Sequence, residues 1–161
     1  MKIRAIQESD IASILEIYRP FVTDSAASFE IEPPSLENFS QRVLQIKKNY
    51  PWLVAEQNSQ VMGYAYGTQH RIRAAYQWSV EVSVYVNSEF HRRGVARSLY
   101  EQLFKELRAQ GKVNAFAGTT LPNPASVTFH QSMGFREIGV FEGIGKKFGK
   151  WWDVAWFQRR L

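Results

Sequence analysis

The chain has no cysteine, which excludes disulfides, a thiol nucleophile and a cysteine-ligated metal, and fits a cytoplasmic protein. No apolar run approaches the ~20 residues that a membrane-crossing helix needs. The opening Met1-Lys2-Ile3-Arg4-Ala5-Ile6 is too short and too charged for a signal peptide, so no membrane partner is expected. There is no long lysine or arginine block and no alternation of basic with aromatic residues. The net charge of +5 therefore suits an anionic small molecule at least as well as nucleic acid, and no nucleic-acid partner is expected. His70, His91 and His130 show no recognised metal-ligand spacing, so no metal is expected. Internal repeats, low-complexity segments and linkers are also missing.

What is present is a chain of 161 residues, 45% hydrophobic and 14% aromatic, which excludes disorder. It is read as one domain over residues 1–161, long enough to bury roughly two thirds of its unfolded surface. Ile3 to Ile6 reads as a first strand. Ser9 or Asp10 can cap a helix with a stripe at Ile11, Ile14, Leu15 and Tyr18, ending near Pro20. An aperiodic stretch from Phe21 to Pro34 comes next, and Ser35 then caps a helix with Leu36, Phe39, Val43 and Ile46 on one side. Trp52–Glu56 and Val61–Tyr66 form a hairpin around Asn58-Ser59-Gln60. Later come a strand over Val113–Thr119, a helix over Ala125–Met133 with Asn123 as cap, and strands over Phe135–Phe141 and Trp151–Phe157. The order β-α-α-β-β-β-α-β-α-β-β predicts a mixed α/β layer structure on a single sheet.

The centre of the chain is the strand Val80-Glu81-Val82-Ser83-Val84-Tyr85-Val86 together with the turn and helix after it. Alternation puts the valines on one face, read as core, and Glu81, Ser83 and Tyr85 on the other, read as the face that carries chemistry. After Asn87 to Phe90 comes the basic turn His91-Arg92-Arg93-Gly94-Val95-Ala96-Arg97-Ser98, then a helix with a stripe at Val95, Leu99, Leu103 and Leu107 that stops at Gly111. A helix start leaves about four backbone N–H groups without partners and carries the positive end of the macrodipole. Gly94 and Ala96 let a ligand approach that backbone, and the arginines and histidine add positive charge, so the turn reads as a pyrophosphate cradle. An ordinary strand-to-helix turn with a solvated basic face remains the alternative. No loop ending in Gly-Lys-Ser/Thr exists, and the glycines of Gly143-Ile144-Gly145-Lys146-Lys147-Phe148-Gly149 are wrongly spaced for a dinucleotide fingerprint.

Four ordered segments then carry a resemblance over nearly the whole chain: the strand Glu81 to Val86, the turn His91 to Ala96, Asn123-Pro124-Ala125-Ser126, and His130-Gln131-Ser132-Met133-Gly134-Phe135. Together they resemble the GCN5-related N-acetyltransferases. Within that superfamily they look most like the phosphinothricin and methionine sulfoximine acetyltransferase branch, as does the ending Lys147-Phe148-Gly149-Lys150-Trp151-Trp152-Asp153. The resemblance implies a single mixed, mostly antiparallel sheet flanked by helices, with acetyl-CoA as donor in the splay between the central strands. It also implies a small-molecule amine as acceptor and a homodimer.

Carried onto matching positions, the backbone of Ser83, Val84, Tyr85 and Val86 would pair with pantetheine like an added strand. His91, Arg92, Arg93, Gly94, Val95, Ala96, Arg97 and Ser98 would hold the pyrophosphate, and Asn123 with Ser126 the middle of the arm. Asn123 also stands as a plain helix cap, and the two roles can coexist. Phe29, Arg73 and Tyr76 become candidates for contact with the acceptor, Arg73 because a guanidinium matches a carboxylate in two-point contact; a solvent-exposed loop arginine is the alternative.

The acceptor amine, with a pKa of about 8 to 10, is mostly protonated at neutral pH and must lose a proton. The resembled branch places a general base at Glu81, whose other reading is an ion pair with a nearby arginine. Where many superfamily members carry a tyrosine as proton donor to the departing thiolate, this chain has His130, a candidate acid or a structural histidine. The reading is an acetyl-CoA-dependent N-acetyltransferase for the α-amine of phosphinothricin, methionine sulfoximine or methionine sulfone. The alternatives are another amine (a protein N-terminus, polyamine or aminoglycoside) and a non-catalytic acyl-CoA-binding module.

Overall fold

In a computed structural model describing Met1–Leu161, the chain forms β1 (Lys2–Ala5), α1 (Ile11–Thr23), α2 (Leu36–Lys47), β2 (Trp52–Gln57), β3 (Gln60–Gln69), β4 (Ser79–Val86), α3 (Val95–Ala109), β5 (Asn114–Leu121), α4 (Pro124–Ser132), β6 (Arg136–Lys147) and β7 (Lys150–Arg160). The seven strands make one sheet in the order β1-β2-β3-β4-β5-β7-β6. Only β4 and β5 run parallel. The element order and the mixed, mostly antiparallel sheet are those expected from the sequence. No helix is long and apolar enough to cross a membrane.

Local chemistry explains most boundaries. Asn58 and Ser59 both take positive φ, the two-residue geometry that matches the right-handed twist of a hairpin. Ser35 Oγ accepts from the Asn38 amide at the start of α2, and Asn123 Oδ1 accepts from the Ser126 amide at the start of α4. α1 departs from expectation, running three residues past Pro20 to Thr23. Proline removes one internal hydrogen bond, but Ile17, Tyr18 and Val22 are all buried, and burial of that face outweighs the local cost. β6 also exceeds expectation. It continues through Gly139, Gly143 and Gly145 with two register shifts, and glycine at bulges is what made the segment look unlike a strand. The glycine-rich stretch is thus the end of a hairpin, turned at Phe148 and Gly149, both at positive φ.

Two cores sandwich the sheet. One packs Val80, Val82, Ala65 and Ala117 against Val95, Leu99, Leu103 and Leu107 of α3. The other packs Tyr64, Trp52 and Val54 against Ile14, Tyr18 and Val22 of α1 and Phe39 of α2. The reading of one core face and one chemical face on β4 is therefore corrected. Tyr85 stands edge-on to Tyr18 at 5.1 Å and to Phe21 at 5.0 Å, so its face packs into a core of its own while Glu81, Ser83 and Tyr85 each stay only half-buried.

The α1–α2 loop, residues 24–35, is fastened over that second face. Lys147, 3% exposed, donates from Nζ to the carbonyls of Val22 (2.6 Å), Ser25 (2.9 Å) and Ser28 (2.7 Å). Burial pushes its ammonium pKa down while the Glu30 carboxylate opposes that shift. Tyr18 Oη bonds Ser28 Oγ at 2.6 Å and the Glu30 carboxylate, which also pairs with Arg42 of α2. A Cβ on Gly145 would overlap the ring of Phe29, so the β6–β7 hairpin and this loop meet where only glycine fits. Lys147→Met strips three carbonyls of their donor, and an unsatisfied buried acceptor costs about 1–3 kcal/mol. The variant is expected to lose about 2–3 kcal/mol in urea unfolding and to be cut first by protease within residues 24–35.

Candidate active site

The site arises from how briefly β4 and β5 stay together. They pair only at Ser79↔Asn114, Val80↔Ala115 and Glu81↔Phe116. Beyond that point β4 remains paired with β3 as far as Val86, and β5 with β7 as far as Leu121. Each keeps a ladder on its outer side, and the edges facing each other are left without a strand. Between them lies a groove of about 610 Å³ lined by Ser83, Val84, Tyr85 and Val86 on one side and Gly118, Thr119, Thr120, Asn123 and Ser126 on the other.

The outer end of the groove is the start of α3. Arg92 and Gly94 take positive φ, and Gly94 is the residue from which the helix begins. A Cβ at Gly94 would meet nothing within 4 Å, so glycine is needed there for its left-handed backbone rather than for room. His91, Arg92, Gly94, Val95, Ala96 and Arg97 line the groove here, with the first amides of α3 among them. His91 Nε2 lies 3.0 Å from the Val86 carbonyl, which ties the turn to the end of β4. Arg93 instead lies over the Phe90 ring at 5.5 Å, and Ser98 has its amide on the Gly94 carbonyl; neither lines the groove. An unpaired strand edge ending at a basic helix start fits a ligand that carries amides at one end and phosphates at the other. That is the chemistry of coenzyme A.

Glu81 stands where the two strands part, one residue short of the groove's lining, which begins on β4 at Val82. Its carboxylate, one third exposed, lies 3.0 Å from Nδ1 of His70. Near the middle of the groove, Ser126 Oγ is 3.0 Å from Thr119 Oγ1. His130 is 5% exposed and lines the groove beside Tyr100. Its Nδ1 is 2.8 Å from the Ser126 carbonyl and must donate there, and its Nε2 is 3.3 Å from Tyr100 Oη. Burial holds the imidazole pKa below its ordinary value and the Tyr100 phenol above its own. His130 is thus a neutral imidazole with its single proton committed to backbone, and any proton it passes to the groove travels through Tyr100.

Among the sequence candidates, the structure brings together Ser83 to Val86, six residues of the basic turn, Asn123, Ser126 and His130. Phe29, Arg73 and Tyr76 lie outside this groove. Phe29 covers Gly145, and Arg73 is exposed at the start of a short 3₁₀ turn. Tyr76 stands edge-on to His70 at 6.0 Å, which sets it at the Glu81 end. Sequence reasoning missed His70, Tyr100, Phe21 and the wall Gly118–Thr120. Tyr100 gave no signal because it lies off the leucine stripe of α3. The β5 wall could be found only by knowing which strand neighbours β4 in the sheet.

The lowered pKa of His130 gives stability a definite pH dependence. The unfolded chain takes up this proton near pH 6.5, whereas the folded chain resists until the pH is lower, so stability falls as pH drops below about 6.5. In urea titrations at about pH 7.5 and 5.5, wild type is expected to lose more stability between the two pH values than His130→Phe.

Comparison with known proteins gives the family. A family model described as an acetyltransferase (GNAT) domain matches residues 3–156. A phosphinothricin N-acetyltransferase of Streptomyces viridochromogenes is 35% identical over 99% of this chain and 87% of its own length. An L-methionine sulfoximine/L-methionine sulfone acetyltransferase of Salmonella typhimurium is 34% identical over 100% of this chain and 95% of its own. Among solved structures, a GNAT superfamily phosphinothricin acetyltransferase from Sinorhizobium meliloti in complex with AcCoA superposes with a TM-score of 0.95 at 34% identity, covering 99% of this chain and 88% of that one. On sequence, fold and groove alike, the chain belongs to the GNAT acetyltransferase family, whose acetyl donor is acetyl-CoA.

Proposed function

We propose that the protein moves an acetyl group from acetyl-CoA to the α-amine of a small amino-acid analogue such as phosphinothricin, methionine sulfoximine or methionine sulfone. One observation carries the reading: the groove between β4 and β5 opens at Glu81 and closes on the α3 amides. Relatives named for these substrates, at 34–35% identity over nearly the whole chain, supply the acceptor class.

When bound, acetyl-CoA supplies an activated acyl group. The residues of this chain do the rest. Ser83 to Val86 offer a strand edge to the arm, Asn123 and Ser126 face its middle, and His91, Arg92 and Gly94 to Arg97 carry the phosphates. Glu81 accepts the proton that the ammonium of the acceptor must lose before its nitrogen can attack. His130, with Tyr100, is the proposed source of the proton for the thiolate. That group has a pKa of about 8.5 and leaves readily, so its need for a donor is smaller than the amine's need for a base. Phe29, Arg73 and Tyr76 are proposed to meet the acceptor, Phe29 from the α1–α2 loop and Arg73 and Tyr76 from the segment between β3 and β4.

Residues 1–161 act as one domain in this reading, in the cytoplasm, where acetyl-CoA and free amino acids coexist. A homodimer is proposed as well, supported by the exposed apolar side chains Ile138, Val140, Phe141, Ile144 and Trp151 along β6 and β7.

Thiol release from acetyl-CoA across an amine panel tests the function. Release is expected with methionine sulfoximine or phosphinothricin, and Glu81→Gln is expected to lower kcat by about 10²–10⁴-fold with acetyl-CoA affinity kept. Turnover confined to peptides, polyamines or aminoglycosides would move the acceptor class. Tight acetyl-CoA binding without turnover on any amine would make the protein a binding module.

A further inference from the structure

We infer that His70 is a positioning residue that holds Glu81 in one orientation, an inference that rests on the role of general base proposed for that glutamate. His70 comes directly after Gln69, the last residue of β3, and the β3–β4 register sets Thr68 opposite Glu81. The chain therefore leaves β3 beside the carboxylate, and the imidazole turns back onto it, with Nδ1 3.0 Å from Oε1.

The ring is held from two further sides. It stacks on Phe116 with centroids 4.6 Å apart and planes 14° from parallel, and Tyr76 meets it edge-on at 6.0 Å. Phe116 is itself the residue paired with Glu81 across β4 and β5. Base, imidazole and stacking partner thus all sit at the point where the groove opens.

Its loop neighbours behave differently. Arg71, Ile72 and Arg73 are exposed, Ile72 at 88%, while the His70 side chain is only 16% exposed. One residue of a solvent-facing loop has been turned inward onto a carboxylate, and that orientation is what a merely connecting loop would not require.

The chemistry of the contact is restricted. An ionised carboxylate only accepts hydrogen bonds, so Nδ1 carries the hydrogen and a neutral His70 is the Nδ1–H tautomer. This bond occupies Oε1, while Oε2 makes no hydrogen bond within the chain and is left for the acceptor. A glutamate side chain has three rotatable bonds, and a misplacement of about 1 Å at a reacting group can cost on the order of 10²-fold in rate. Clamping one oxygen removes most of that freedom.

Two substitutions separate the bond from the packing. His70→Phe keeps a ring on Phe116 and deletes the donor, and His70→Asn sets an amide N–H near the place of Nδ1 and deletes the ring. We expect His70→Phe to lower kcat by about tenfold or more with the KM for acetyl-CoA unchanged, His70→Asn to recover most of that loss, and His70→Phe to cost nothing further in a Glu81→Gln background. A second readout needs no ligand. In alkaline solution, the ring ¹⁵N resonances of His70 should show hydrogen on Nδ1 in wild type and move toward Nε2 in Glu81→Ala. Wild-type kcat in His70→Phe, an equal further loss in the Glu81→Gln background, or hydrogen on Nε2 in wild type would each overturn the inference. Should Glu81→Gln itself keep full turnover while the Nδ1–H tautomer stands, the base assignment falls and takes the catalytic role of His70 with it, leaving only the pairing.

Discussion

The groove of this molecule depends on two parallel strands that pair for three residues and then separate. Unpaired strand edges are costly inside a protein, because each buried N–H and C=O needs a partner. Here the cost is limited by ladders on the outer sides: β4 pairs with β3 from Val80 to Val86, and β5 pairs with β7 from Asn114 to Leu121. The strands are rigid while the gap between them stays open. A ligand with its own amides can complete the edge, and this makes the sheet a binding site without any dedicated loop.

The two ends of the gap are built by different means. At the outer end, positive φ at Gly94 turns the chain so that α3 starts against the groove, and the helix is held in place by Val95, Leu99, Leu103 and Leu107 buried in the core below. The outer end is thus anchored by the core. At the inner end, Glu81 is met by a side chain from beyond a strand end, His70 after β3, while the residue 24–35 segment is tied down separately by Lys147 and the Tyr18–Glu30–Arg42 contacts. The groove is lined mainly by strands and the start of α3, with Ala27 of the residue 24–35 loop at its rim, whereas Arg73 and Tyr76 stand on the segment between β3 and β4.

This division also decides what could be read from the sequence. The valine alternation of β4, the glycine-started helix with its four-residue stripe and the capped helix after Asn123 are local patterns with local causes, and each stands where those patterns place it. Two boundaries escape local reading for tertiary reasons: α1 continues through Pro20 because its buried face holds it, and β6 continues through glycines that its register shifts absorb. The face carrying Tyr85 reads as open from alternation alone because the aromatic residues of α1 that cover it belong to no local pattern of β4. His70 is invisible for a related reason. It is eleven positions from Glu81, and only the β3–β4 register, which sets Thr68 opposite Glu81, shows that they meet.

His130 shows how an environment can narrow a residue's chemistry. A tyrosine at this place would offer a hydroxyl to the groove directly. A histidine on α4 finds the Ser126 carbonyl one helical turn back and spends its hydrogen there, so the side facing Tyr100 is an acceptor. Burial then keeps the ring neutral, because charging it would leave a cation among Tyr100, Phe129, Phe135 and Phe157. The pair is therefore asymmetric. Tyr100 Oη points its hydrogen at Nε2 when the ring is neutral, and can present it to the groove only by rotating away from the imidazole. In the roles proposed for these residues the chemical demand on this side is weak, since a thiolate is a good leaving group, whereas an ammonium cannot attack until it is deprotonated. The proposed base accordingly has the tighter surroundings: the Glu81 carboxylate meets the His70 imidazole, that ring stacks on Phe116, and Phe116 belongs to the last residue pair before the strands part.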